Sequence, residues 1–133
     1  MLRAIDHVGI AVPNITSASQ LFIELLECTR EDPVDLPQQQ VRVQFLNTPN
    51  GKIELLSPLG DSGPLQRFLN RRGPGLHHIC IEVDNIHQKV AELLERGVRM
   101  VDKEPWKSPH GWTAFIHPSA LGGISVELRE KYG

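Results

Sequence analysis

Leu76-His77-His78-Ile79-Cys80-Ile81-Glu82-Val83-Asp84-Asn85-Ile86 reads as a strand that carries a histidine, then an Asp-Asn turn, then the start of a helix. The same figure stands at the beginning of the chain, in Ile5-Asp6-His7-Val8-Gly9-Ile10-Ala11-Val12-Pro13-Asn14-Ile15. His7 and His78 lie 71 positions apart, and that offset also places Asn14-Ile15 on Asn85-Ile86. A second echo comes late in each half: Lys52-Ile53-Glu54-Leu55-Leu56 returns as Ser125-Val126-Glu127-Leu128-Arg129. Glu54 and Glu127 are 73 positions apart, so a small insertion separates the two offsets. The pattern is that of one supersecondary unit used twice, each copy giving one His early and one Glu late.

Outward from these strands, the first module unfolds as follows. Residues 5–12 alternate, with Val8, Ile10 and Val12 on a core face and Ile5, His7, Gly9 and Ala11 on the other. Apart from His7 and Ile5 that second face is small, which leaves room in front of the imidazole. Thr16 or Ser17 is expected to cap a helix reaching about Glu27, with Ala18, Leu21, Phe22, Leu25 and Leu26 as its apolar stripe. Residues 29–40 are polar and hold Pro33 and Pro37, as an irregular edge strand and loop would. Val41, Val43 and Phe45 alternate with Arg42 and Gln44 in a strand. Asn47 to Gly51 is a hairpin turn, for which Gly51 is expected to supply a positive φ. Lys52 to Ser57 completes a βαβββ module.

The linker from Pro58 to Gly75 contains three prolines and four glycines. Within it Leu65 to Leu69 predicts a short helix entered with Pro64 in its first turn. The second module predicts a strand over 77–83, a helix from about His87 to Arg96, and a stop at Gly97. Val90, Ala91, Leu93 and Leu94 form that helix's apolar stripe. A strand over Val98 to Val101, a loop from Asp102 to Gly111, a strand over Thr113 to His117 and a final strand over Ile124 to Arg129 follow. The expected organisation is one domain over 1–133, with modules at 3–57 and 76–130 joined by the linker 58–75. The fold class is α+β: two tandem βαβββ modules.

Composition narrows the function. With 40% hydrophobic and 23% charged residues among 133, the chain is an ordinary globular protein able to bury a core. A net charge of −2 with no basic run argues against nucleic acid or an anionic membrane as partner. Cys28 and Cys80 are the only thiols, both in apolar surroundings, which fits a reduced compartment. Met1-Leu2-Arg3 enters a strand directly, so no secretory signal is expected, and no apolar run is long enough for a membrane span. The expected location is cytoplasmic.

Strand alternation decides which way the candidates face. Ile79, Ile81 and Val83 are assigned to the core, so His78 shares the other face with Cys80 and Glu82. Glu54 lies opposite Ile53 and Leu55, and Glu127 opposite Val126 and Leu128. All four residues therefore face away from the helix-packed side, and they converge if the modules pair through their concave faces. Two neutral imidazoles and two carboxylates suit a divalent ion such as Zn, Co, Ni, Mn or Fe. Singly, a strand histidine is ordinarily a satisfied core residue and a glutamate a solvated one. Repetition in register on the same strands of both modules is hard to obtain from packing alone. Of the remaining histidines, His77 faces the core, His87 sits at a helix start, His110 lies in the Pro109-His110-Gly111 loop, and His117 opens a turn. Trp106 and Trp112 flank that loop and either wall a pocket or pack. No phosphate-binding glycine loop and no nucleophile elbow is present.

Taken together, residues 5–129 resemble the vicinal oxygen chelate superfamily, and within it the methylmalonyl-CoA epimerase family most. The likeness rests on Ile5 to Val12, on Ile53-Glu54-Leu55-Leu56-Ser57-Pro58-Leu59-Gly60, on Gly75 to Ile86, and on His117-Pro118 through Gly122-Gly123 to Val126-Glu127-Leu128. The resemblance implies an open cupped mixed sheet around a divalent metal such as Co, Zn, Ni or Mn. It implies His7, Glu54, His78 and Glu127 as ligands, with Glu54 where the family has Glu or Gln. It also implies an acyl-CoA thioester substrate whose enediolate the metal stabilises, Glu127 as one acid-base and Glu54 as a candidate for the other, and a homodimer. Two departures stand out. The third strand, Val41-Arg42-Val43-Gln44-Phe45, lacks the glutamate some epimerases carry there, and the Trp106–Trp112 loop lacks their small, Gly-rich character. Arg71, Arg72 and Lys107 are basic residues within reach of a CoA phosphate in principle, and exposed basic side chains are mostly just solvated.

Three other readings share the fold. A glyoxalase-I-type lactoylglutathione lyase would use the same four ligands. A drug-binding protein would not need the quartet. An extradiol dioxygenase would need two His and one carboxylate on iron, which leaves Glu54 unexplained.

Overall fold

The computed structural model describes residues 1–133. The chain divides into a first unit, His7–His77, and a second unit, Met1–Asp6 with His78–Gly133. The first strand, β1 (Leu2–Ala11), is shared: its opening residues belong to the second unit and the rest, from His7, to the first.

In the first unit β1 leads to α1 (Ile15–Leu26), β2 (Thr29–Arg30), β3 (Val34–Leu36), β4 (Val41–Thr48), β5 (Gly51–Pro58) and α2 (Pro64–Arg72). β5 runs parallel to β1 and antiparallel to β4, whose far edge carries both β2 and β3. In the second unit β6 (Gly75–Val83) leads to α3 (Ile86–Glu95), β7 (Trp106–Ser108), β8 (Gly111–Ile116) and β9 (Val126–Glu130). There β9 runs parallel to β6 and antiparallel to β8, and β7 closes the edge. Both units are thus βαβββ with the same strand order, and the α+β class holds.

The two module helices, α1 and α3, each begin at an asparagine. The Asn14 carboxamide oxygen accepts from the Ser17 amide at 3.0 Å, and that of Asn85 from the Gln88 amide at 3.1 Å. The cap of α1 is therefore Asn14, not Thr16 or Ser17: a side-chain oxygen at the residue before the first turn reaches the third amide beyond it. The helices also bury narrower stripes than their sequences suggest. On α1, Ala18 and Phe22 pack with Val12, Ile15, Leu46 and Leu55, while Leu21, Leu25 and Leu26 are exposed. On α3, Ile86, Val90 and Leu93 are buried with Val83, Met100 and Leu128, and Leu94 is exposed.

Three local expectations are corrected. The β4–β5 hairpin turns on Pro49-Asn50, between the paired residues Thr48 and Gly51, and Gly51 is not at positive φ. Proline holds φ negative at the first turn position and Asn50 is not at positive φ either, so this turn uses no left-handed residue. Val98 to Val101 forms a single bridge, Met100 to Ile116, in place of a strand. The loop 102–111 instead contains β7, which pairs with β8 across a tight turn closed by Gly111 at φ 146°. A Cβ there would come within 2.6 Å of the Glu130 carbonyl oxygen, so glycine is required.

The face opposite the helices is not a wetted surface. Along β6, His78 and Cys80 are buried while Ile79 and Ile81 are half-buried, and β1 repeats this with His7, Gly9 and Ala11 against Val8 and Ile10.

Candidate functional site

The register of each unit sets its candidate residues. In the first, Glu54 on β5 pairs with Gly9 on β1, two residues beyond His7. In the second, Glu127 on β9 pairs with Cys80 on β6, two residues beyond His78. A step of two returns to the same face of a strand, so each glutamate stands beside its histidine by construction. His7 Nε2 lies 3.4 Å from Glu54 Oε1, and His78 Nε2 lies 3.1 Å from Glu127 Oε1. All four side chains are buried, His7 at 1% exposure and Glu54 at 6%.

A third residue belongs to each pair and was not legible from the His and Glu echoes alone. Phe45 on β4 is the register partner of Glu54, and Phe115 on β8 that of Glu127. Each ring meets its imidazole edge to face, at 5.1 Å and 81° for His7 with Phe45 and at 5.4 Å and 76° for His78 with Phe115. Such T-shaped contacts fix a ring plane without consuming a ring nitrogen. The sequence did hold a signal for them, because Phe45 and Phe115 are 70 positions apart, close to the offsets of the histidines and glutamates.

One pair of register partners on that same face differs in chemical character between the units. In the first unit these are Val43 and Leu56, register partners that join an apolar cluster with Val41 and Leu65. In the second they are Thr113 and Arg129, also register partners, at 0% and 4% exposure. Arg129 Nη2 donates to Glu127 Oε2 at 2.9 Å and to Thr113 Oγ1 at 3.2 Å, and the Thr113 hydroxyl donates to the same carboxylate oxygen at 3.2 Å. Asp6 Oδ2 lies 3.9 Å from Arg129 Nη1, and Lys131 Nζ lies 3.4 Å from both Asp6 Oδ1 and Glu82 Oε1. Partial desolvation works against the charge of Lys131, and the two carboxylates more than offset it, so its pKa is raised.

Unprotonated imidazole nitrogens and ionised carboxylates are the donor chemistry of a divalent first-row metal, and both units supply one of each on a dry face. The neighbouring phenylalanines and the held Oε2 of Glu127 are the kind of surroundings that orient ligands. The donor set therefore fits a metal.

The other sequence candidates fall elsewhere. His77 meets Phe68 edge-on at 4.8 Å. His87 stands edge-on to Trp112 at 4.7 Å, and Lys107 Nζ lies over the same indole at 5.2 Å. Arg72 lies over Phe68 at 5.5 Å. His117 caps the turn 118–121 by accepting from the Ser119 amide at 3.1 Å, as a turn residue should. The His110 amide donates to Ser108 Oγ at 3.2 Å within the β7–β8 turn. No helix is long and apolar enough to cross a membrane.

Comparison with known proteins agrees with this architecture. The sequence profile of the Glyoxalase/Bleomycin resistance protein/Dioxygenase superfamily matches residues 6–115. The mitochondrial methylmalonyl-CoA epimerase of Dictyostelium discoideum is 40% identical over 129 residues, covering 96% of this chain and 78% of that protein. The ethylmalonyl-CoA/methylmalonyl-CoA epimerase of Cereibacter sphaeroides is 38% identical over 133 residues, covering 98% of this chain and 99% of its own. Among solved structures, the methylmalonyl-CoA epimerase of Mycobacterium tuberculosis superposes with a TM-score of 0.93 at 29% identity, over 99% of this chain and 90% of that one. Nearly full-length identity of this order, on a shared fold, places the chain in the methylmalonyl-CoA epimerase family of the glyoxalase/bleomycin resistance/dioxygenase superfamily.

Proposed function

We propose that the chain is a metal-dependent epimerase that interconverts (R)- and (S)-methylmalonyl-CoA, with His7, Glu54, His78 and Glu127 together holding one divalent ion, Co, Zn, Ni or Mn. The observation that carries this reading is the identical register of the two buried His–Glu pairs, one in each unit. The two units then act as one domain over 1–133, with modules 3–57 and 76–130 and the linker 58–75. The solved M. tuberculosis relative, which matches almost the entire chain at once, supports that assembly.

Epimerisation removes the proton α to the thioester carbonyl and returns one to the opposite face of the same carbon. A divalent ion bound by the quartet would supply the positive charge that favours the enediolate over the neutral thioester. The protein's own task is to take and return the proton. Glu127 offers Oε1 for this, its Oε2 being occupied by Arg129 and Thr113. Glu54 is the second acid-base in this reading, because the strand β4 carries Val43 and no carboxylate at the corresponding edge. Its Oε1 is held near His7 by a register that leaves Gly9, without a side chain, directly across from it. The two phenylalanines keep water off the imidazoles, which strengthens every charge interaction on that face.

An acyl-CoA partner, a homodimer and a reducing, cytoplasmic setting complete the reading. Leu2 and Ile5, at 64% and 65% exposure on β1, leave apolar surface that a second copy would cover, and both cysteines are buried thiols. Nucleic acid and membrane are not partners in this reading.

The deciding experiment is α-proton exchange of methylmalonyl-CoA in deuterated buffer, with chelator-treated protein and then with added Co²⁺. Exchange that appears only with Co²⁺ supports both the metal and the substrate. Bound Co²⁺ without exchange would retain the site and reject the substrate. Neither exchange nor binding would reject the metal-dependent reading.

A further inference from the structure

The second unit holds a buried guanidinium that the repeat does not require. At the equivalent positions of the first unit, Val43 and Leu56 show that the fold is satisfied by an apolar pair. A buried charge is costly unless it is paired and hydrogen-bonded. Arg129 is paired on both sides, with Glu127 at 2.9 Å and Asp6 at 3.9 Å, and it shares Thr113 with Glu127. Arg129 and Thr113 reach the same atom of Glu127, Oε2, whereas His78 faces Oε1.

We propose that Arg129 and Thr113 are positioning residues that lock Oε2 of Glu127, so that only Oε1 is presented to the functional face, while Asp6 helps to balance the guanidinium charge. The inference rests on the proposed metal site and specifies how one ligand of it is held. Two donors on one oxygen fix the carboxylate plane and prevent the group from turning its second oxygen inward. They make Glu127 a one-oxygen ligand. Val43 and Leu56, at the same places in the first unit, carry no side-chain donor.

The test uses full-length protein, stripped with chelator and titrated with Co²⁺, comparing wild type with Arg129→Leu, Arg129→Lys and Thr113→Val. Near-ultraviolet circular dichroism identifies the variants that fold. The expected result for Arg129→Leu is Co²⁺ affinity reduced about 10- to 100-fold, the usual consequence of losing a residue that orients a ligand. Thr113→Val, which removes one donor and no charge, weakens binding less. Arg129→Lys recovers only part of the loss, because an ammonium returns the charge without the planar fork. Folded Arg129→Leu that binds Co²⁺ as tightly as wild type would overturn the inference and leave the metal site standing. If Arg129→Leu does not fold, Thr113→Val decides: wild-type Co²⁺ affinity in that variant overturns the proposal, and weakened affinity supports it. Wild-type protein that binds no Co²⁺ overturns the metal site, and the lock with it.

Discussion

His78 Nε2 stands 3.1 Å from Glu127 Oε1, closer than His7 Nε2 stands to Glu54 Oε1 at 3.4 Å. Both are buried His–carboxylate contacts, and in the proposed site each pair would offer its donors to the ion. Replacing His7 or His78 by alanine is expected to abolish stoichiometric Co²⁺ binding while leaving the fold intact. Metal analysis of the purified variants, alongside circular dichroism, checks both halves of the statement.

Glu127→Gln and Glu54→Gln keep the volume of each side chain and remove its basicity. Epimerisation should fall by about 10²- to 10⁴-fold in each, the ordinary contribution of a positioned acid-base. If the two serve opposite faces, each variant loses epimerisation, yet it retains residual exchange with one substrate epimer only. Following deuterium uptake separately from the (R)- and (S)-thioesters distinguishes the faces.

Phe45 is buried at 3% exposure, and its ring is the edge contact of His7. Phe45→Ala is expected to cost about 3–5 kcal/mol, the range for deleting a core phenyl ring. Phe115 is only half-buried, so Phe115→Ala should cost less stability. Urea denaturation ranks the pair, and Co²⁺ affinity in the surviving variant reports whether the imidazole has lost its orientation.

Gly111 closes the β7–β8 turn at φ 146°, with the Glu130 carbonyl where a methyl would go. Gly111→Ala should therefore destabilise through both backbone strain and collision, by about 1–3 kcal/mol or more. Gly97, at φ 78° with open space around it, is the control, and Gly97→Ala should cost only about 1 kcal/mol. Thermal unfolding of the two alanine variants tests the order.

Asp35 receives two hydrogen bonds from Arg42, at 2.6 and 3.2 Å, which lower its pKa below the ordinary 3.8. A carboxyl group whose pKa is lower in the folded state adds stability above its unfolded pKa and loses it as pH falls through the folded one. Asp35→Asn should thus be slightly less stable than wild type at neutral pH, and the difference should vanish in strong acid. Because the pair is exposed, added salt should shrink the difference as well. Denaturation midpoints measured across pH and ionic strength give the answer.

The repeat made much of this molecule readable. His and Glu are rare on buried strand faces, so their recurrence at nearly one offset stood out against packing, and strand periodicity then assigned them to one face. Phe45 and Phe115 were harder to see, since a phenylalanine on a strand is ordinary and only its register marks it. Thr113 escaped, and Arg129 was legible only as sharing the face of Glu127, for the opposite reason: a search for recurrence passes over the places where two modules differ. The short strand β7 escaped because three residues, Trp106 to Ser108, carry too little alternation to distinguish strand from loop. The exposed Leu21, Leu25 and Leu26 show the same limit from the other side, because a helix can be apolar over a wider arc than its sheet covers.

The shared first strand has a consequence for how the chain is born. Met1 and Arg3 leave the ribosome well before their partners Asp84 and Glu82, Met1 preceding Asp84 by 83 positions. His7 to Ala11 can pair with β5 once residue 58 has emerged, while the leading end of the same strand still waits in solvent. A nascent chain halted at the linker would then hold a folded module with the leading end of β1 still loose, which only the synthesis of the second module can gather in.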